Sequence, residues 1–228
     1  MSLGEGLRAT NLVTGDSDGT EQLIYNPGNG TWHWTFAREY SGANGLYVAR
    51  VERTYEWRFL KKNGQPQVAY VHNGDTAYTI ELDILSGAGR HEMPLLTQTL
   101  TSLSGRLVAT GTNTDEIAVN GWWSRSALDT IRTRSAVRAI HHACSLSIVE
   151  MTCQRDSADV LWHELTGTIT GTLTANIEFI EGDAYAEEAV SRDLAIEIDT
   201  GMAAITVGDS TWNCELRHGV VQLPPETD

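Results

Sequence analysis

An all-β fold is predicted: a jelly-roll-like sandwich or barrel of about ten strands, with one helix near 126–143. Three observations carry this prediction. From Leu46 to Leu60, Tyr47, Ala49, Val51, Tyr55, Trp57 and Phe59 alternate with Arg50, Glu52, Thr54, Glu56 and Arg58; side chains on a strand alternate faces, so this run has one apolar and one polar side. From Thr168 to Ile180, Ile169, Leu173, Ala175, Ile177 and Phe179 alternate with Thr168, Thr170, Thr172, Thr174 and Glu178, a β-branched strand with a threonine face. Between and beyond these runs, short apolar segments recur at close spacing, separated by turn residues.

In chain order, residues 1–30 read as a polar N-terminal arm and lead-in, and 31–228 as one domain. Within the lead-in, Leu23 to Tyr25 is strand material, and Asn26-Pro27-Gly28-Asn29-Gly30 is a loop signal. Asp16-Ser17-Asp18-Gly19 resembles the start of a calcium loop, but the closing acid would fall on Pro27, which rules out an EF-hand. Trp32, Trp34 and Phe36 share one face of the next strand. The Leu46–Leu85 stretch reads as a three-strand meander turned at Asn63-Gly64 and Asn73-Gly74, with a short middle strand at Val68–His72. Its first strand is long, so either a bulge breaks it near Arg53, the polar residue on its apolar side, or a hairpin tipped by Lys61 and Lys62 projects past the core.

Leu96–Ala109, broken at Ser104-Gly105, and Ile117–Trp123 follow as strands. The adjacent Trp122 and Trp123 must face opposite ways. Ser126–Ala143 reads as the helix: Leu128, Ile131, Ser135, Ala136, Ala139, Ile140 and Ala143 form a stripe at helical spacing, with Arg134, Arg138 and His142 opposite. The rival is an extended strand through Ile131, Thr133, Ser135, Val137 and Ala139. Strands resume at Leu146–Cys153 and Val160–Leu165. After Thr168–Ile180, Glu181–Asp193 reads as an acidic connection with one or two helical turns. Leu194–Asp199, Ile205–Val207, Trp212–Leu216 and Val220–Leu223 close the chain.

The 228 residues carry 30 acids and 16 bases, of which only Lys61 and Lys62 are lysines, for a formal charge of −14. So acidic a surface repels nucleic acid and anionic lipid, which argues against sequence-specific nucleic-acid binding. Low Lys with many acids fits either a protein adapted to molar salt, where screening acts over about 3 Å, or GC-rich coding. No apolar run approaches the roughly 18 residues of a membrane helix, and Met1–Thr20 does not read as a secretory signal. Cys144, Cys153 and Cys214 form no disulfide framework and read as reduced core cysteines, the alternative being an intersubunit pair.

Chemistry-bearing residues are scattered. His141, His142, Cys144, Cys153 and His163 offer zinc-type donors, but at spacings that match no zinc pattern. His163-Glu164 beside Asp159, and Glu150 among apolar residues, are isolated acid–base candidates. There is no phosphate-binding glycine loop. These features predict no catalytic residues, no cofactor and no metal. A non-enzymatic building block that assembles with its own copies fits better, with Lys61, Lys62, Trp122, Trp123, Arg125, Arg134 and Arg138 as candidate subunit contacts.

In size, β-richness and acidic low-Lys composition the chain resembles the single jelly-roll major capsid proteins of tailless icosahedral haloarchaeal viruses. The resemblance lies in overall character and no motif carries it. It implies an upright β-barrel in a virion shell, capsomers made with copies of itself and a second structural protein, and an internal membrane beneath. Tail-tube proteins of tailed viruses are similar in bulk. A carbohydrate-binding β-sandwich stacking sugars on Trp32, Trp34, Trp122 and Trp123 is the reading from another class.

Overall fold

The computed structural model describes residues 17–42, 46–70, 76–154, 165–216 and 220–222. They form one antiparallel sheet built from β1 (Ser17–Asn26), β2 (Thr31–Ser41), β3 (Val48–Leu60), β4 (Pro66–Gln67), β5 (Thr79–Met93), β6 (Leu96–Thr110), β7 (Glu116–Arg132), β8 (Ala136–Gln154), β9 (Thr166–Glu181), β10 (Ala184–Asp199), β11 (Met202–Val207), β12 (Ser210–Glu215) and β13 (Val220–Gln222). Twelve strands lie side by side in chain order, and the two-residue β4 hangs on β3. The all-β class stands. The jelly-roll sandwich does not appear: among the described residues the order is a plain meander, without the Greek-key crossover of a jelly roll. Close backbone approaches between strands are all between hydrogen-bonded neighbours.

The expected helix at 126–143 is replaced by the end of β7, a hairpin and the start of β8. Thr133 N–H donates to Ala136 O at 2.9 Å, and Ala136 N–H donates to Thr133 Oγ1 at 3.1 Å. This clamp reverses the chain at Arg134-Ser135. Apolar residues at helical spacing also satisfy a strand pair when a turn falls between them. Here Ile131 and Arg138 are directly opposite across the hairpin, and flanking strands on both sides supply backbone hydrogen bonds that a helix would have to supply itself. The rival extended reading is correct in kind, though interrupted at 133–135.

The acidic connection expected at Glu181–Asp193 is likewise strand: the chain turns at Gly182-Asp183 and Ala184–Asp199 pairs with β9 along its length. Of the short strand expected at Val68–His72, Val68–Tyr70 are not strand and Val71 and His72 lie outside the described residues; a two-residue strand stands at Pro66–Gln67, and β5 pairs directly with β3. Asn73-Gly74, Arg155–Glu164 and the arm before Ser17 lie outside the described residues, and with them Asp159, His163 and Glu164. Strands β5 to β10 are 15–19 residues long, so the 13-residue β3 does not project. The irregularity expected near Arg53 is present, since the β3–β5 register shifts at Thr54/Tyr55, but the extra residue is Leu85 on β5.

Thr101 is a second extra residue, on β6. Between Leu85 and Thr101 the sheet bends over Leu103, which is 5% exposed. A Cβ on Gly87 would lie 2.8 Å from Leu103 Cβ, so only glycine lets that side chain in. A further bulge line runs through Asn120, Glu150 and Gly167. Glu150 takes φ +51°, and its N–H donates to Asn120 Oδ1 at 2.8 Å. It is an exposed bulge residue, not a buried carboxylate. Because of this bulge Cys144 and Cys153, nine residues apart, fall on the same face of β8.

Gly121, on the same line, has φ +157°, and a Cβ there would lie 2.1 Å from Arg106 O. Gly121→Ala should therefore cost about 1–3 kcal/mol through overpacking. The measurement is urea unfolding, with the midpoint lowered and the slope unchanged.

Candidate functional site

Directly paired residues in an antiparallel ladder project from the same face, so the register sorts every strand residue onto one of two sides. On one side the pairing reads, strand by strand, Tyr25, Trp32, Trp57, Leu82, Leu107, Gly121, Ile148, Ile169, Ile196, Ile205 and Trp212. The row two residues nearer the short turns runs from Leu23, Trp34, Tyr55 and Ile84 to Trp123, Leu146 and Leu194. The row on the other side includes Phe59, Ile80, Val119, Met151 and Ile198. These three rows hold no charged residue and form a continuous uncharged band across the sheet.

The band is only half-covered. Every member of the central row is part-buried, screened by its neighbours within the sheet. Among the described residues the buried apolar side chains are Ala77, Leu103, Ala127, Cys153, Ile198 and Ala203, and no large side chain is fully buried. At the β2–β3 end the aromatics cover one another. Trp34 stacks on Tyr55 at 5.4 Å and meets Trp57 edge-on at 6.1 Å. The connection after β3 folds back here, with Tyr70 6.5 Å from Phe59 and Val68 O accepting from Trp32 Nε1 at 2.5 Å.

Beyond the band, toward the short turns, the same face becomes charged. Arg53, Arg125 and Arg192 stand in the next row with Glu21, Cys144 and Leu173. Arg53 donates to Glu52 O and Ala88 O at 2.7 and 2.6 Å. Burial lowers its pKa and raises that of Tyr55, while their hydrogen bond opposes both shifts. Farther along, His91 Nδ1 meets Gln98 Oε1 at 3.3 Å, and His142 Nε2 lies 3.4 Å from Asp129 Oδ2.

The opposite face is polar. Ser104, Ser124, Ser145 and Thr172 form one cross-strand row. Glu81, 14% exposed, bridges Arg58 and Arg106, the latter at 3.3 Å, and Arg106 also reaches Asp83 at 3.4 Å. Shallow grooves of about 510 and 600 Å³ run along the small side chains of this face. Among the described residues no three His, Cys, Asp or Glu side chains gather as metal ligands: His141 and His142 fall on opposite faces.

The predicted contact residues are dispersed. Lys61 and Lys62 follow β3, and Lys62 Nζ sits 5.8 Å from the Tyr78 ring instead of tipping a free hairpin. Trp123 belongs to the band, while Trp122, 46% exposed, projects from the polar face. Trp32, Trp34 and Trp123 therefore cannot share a sugar-stacking platform with Trp122. Arg125, Arg138 and His142 share the band's face, and Arg134 is in the hairpin turn. The alternation within single strands signalled a two-faced sheet, but the band itself was not legible strand by strand.

Burial raises the thiol pKa of Cys144 and Cys153, with Arg125 opposing the shift at Cys144. A raised pKa leaves less thiolate near neutral pH. Iodoacetamide should therefore label both several-fold more slowly than a free thiol at pH 8, with rates still climbing above the ordinary thiol range; labelling as fast as a free thiol would contradict this. Comparison with known protein families, curated proteins and solved structures finds no match.

Proposed function

We propose that the chain is a non-enzymatic structural subunit that works as an assembly of its own copies, in the class of virion structural proteins. The observation that supports assembly is the uncharged band on a sheet that has no second layer among the described residues. A sheet with one apolar face needs that face covered, and open twisted sheets rarely exceed about ten strands without curling or splitting. Ten strand spacings of about 4.8 Å and three rows about 7 Å apart make a patch of order 1,000 Å². Covering it would gain about 25 kcal/mol before the costs of association. Patches of this size on monomers mark interaction surfaces.

Membership of a virion rests on the resemblance in size, strand content and acidic low-Lys composition. A shell subunit over an internal membrane, with a second structural protein as partner, is the first form of that proposal. A ring-forming tail-tube subunit is the second, and one observation favours it. The twelve main strands alternate in direction, so β1 and β13 run oppositely, and copies set side by side would continue an antiparallel ladder. Sedimentation of the purified chain should give masses well above 25 kDa in molar salt and smaller ones in dilute buffer. Electron microscopy of the salt-grown particles then separates closed shells from stacked rings. A monomer at every salt concentration rejects the assembly reading.

A further inference from the structure

We propose that the uncharged band is covered by the same band of a second copy, so that the two-layered sandwich is formed between chains. The inference rests on the assembly reading and names the surface and its occupant. An interface of about 800 Å² per partner is standard for a specific complex, and the band supplies that area. Two sheets of the same twist pack face to face with strands about 30° apart.

Charge selects the orientation. If the two-fold axis ran along the strands, strand order would reverse and Arg53 and Arg192 would approach each other across the interface. With the axis lying across the strands, the copies run antiparallel. The row carrying Arg125 and Arg192 then overhangs the partner's opposite end. That end carries Asp115, in the turn just before β7, on the side of the band residues Ile117 and Val119. Arg125 of each copy then comes over the end carrying Asp115 of the other, at both rims, symmetrically.

A lipid occupant fits less well. The band is about 20 Å tall where a bilayer-spanning barrel needs about 25 Å. Arginines follow in the next row, and among the described residues β1 and β13 leave the sheet unclosed, which hydrocarbon does not tolerate.

The test is sedimentation equilibrium of the full chain in molar salt, with circular dichroism to confirm strand content. Ile169→Asp, in the centre of the band, should raise the dissociation constant at least tenfold, as expected for a charge introduced into an interface core. At the lowest salt concentration that still gives the wild-type dimer, Arg125→Glu should weaken it several-fold, and adding Asp115→Arg should restore it. This charge swap decides the matter if Ile169→Asp fails to fold. Unchanged mass in folded Ile169→Asp, or no rescue by the swap, overturns the face-to-face dimer while leaving assembly through another surface standing. A wild-type monomer overturns both readings. Flotation of the wild-type chain with phosphatidylcholine vesicles, lost in Ile169→Asp, overturns the dimer in favour of a lipid-facing band.

Discussion

Register is the constraint on which the rest of this structure depends. A single strand decides only which of its residues share a side; the ladder decides which residues of different strands meet. In this sheet the pairing brings Trp32, Trp57, Leu82, Leu107, Ile148, Ile169, Ile196, Ile205 and Trp212 into one line. A slip of one residue in β2, β3, β5, β9 or β12, in either direction, would put a polar or charged side chain into that line. At β3 it would replace Trp57 with Glu56 or Arg58. The polar face locks the same register from behind, because Arg58, Glu81, Arg106 and Asp83 pair across β3, β5 and β6. The two faces thus specify one alignment through different chemistry.

Bulges determine how far that line extends. Without extra residues at Leu85, Thr101 and the Asn120–Glu150–Gly167 line, long strands would keep one alternation from end to end. With them, the side-chain phase resets part-way along β5, β6 and β8. The reset returns Cys153 to the face of Cys144 and admits Leu103 against Gly87. Arg53 benefits too: on a face otherwise apolar beside it, its guanidinium reaches carbonyls at the bend, including Ala88 O.

Strand content was legible because alternation is a local property, and Leu46–Leu60 and Thr168–Ile180 show it plainly. The helix at 126–143 was misread because seven apolar or small residues at helical spacing cannot be distinguished from two strand ends without knowing that Thr133 clamps a hairpin. The acidic stretch 181–193 was misread because Glu187, Glu188 and Asp193 signal solvent, and a sheet with one wet face and one free edge accepts them in a strand. The sandwich was inferred from the number and close spacing of the strands, a pattern that a single-layer meander shares. Nothing in the sequence says whether the second layer is intramolecular. The band escaped notice for a related reason: each strand contributes two or three residues to it, and only the register reveals that they are contiguous.

Composition and geometry meet in the distribution of charge. Two copies of a chain with formal charge −14 repel, and contact is favoured only where the charges are absent or opposed. Most strand carboxylates, among them Glu52, Glu56, Glu81, Asp83, Glu178, Glu187 and Glu197, project from the polar face, whereas the band has none. Several arginines stand beside the band. In the proposed pairing, long-range repulsion would act between the surfaces turned away from the contact, where salt screens it over about 3 Å at molar strength, while burial of the band would be strengthened or left intact by salt. In the proposed pairing, an acidic, lysine-poor surface and an uncharged sheet face would be two parts of one arrangement, with ionic strength controlling whether copies associate and the band determining where.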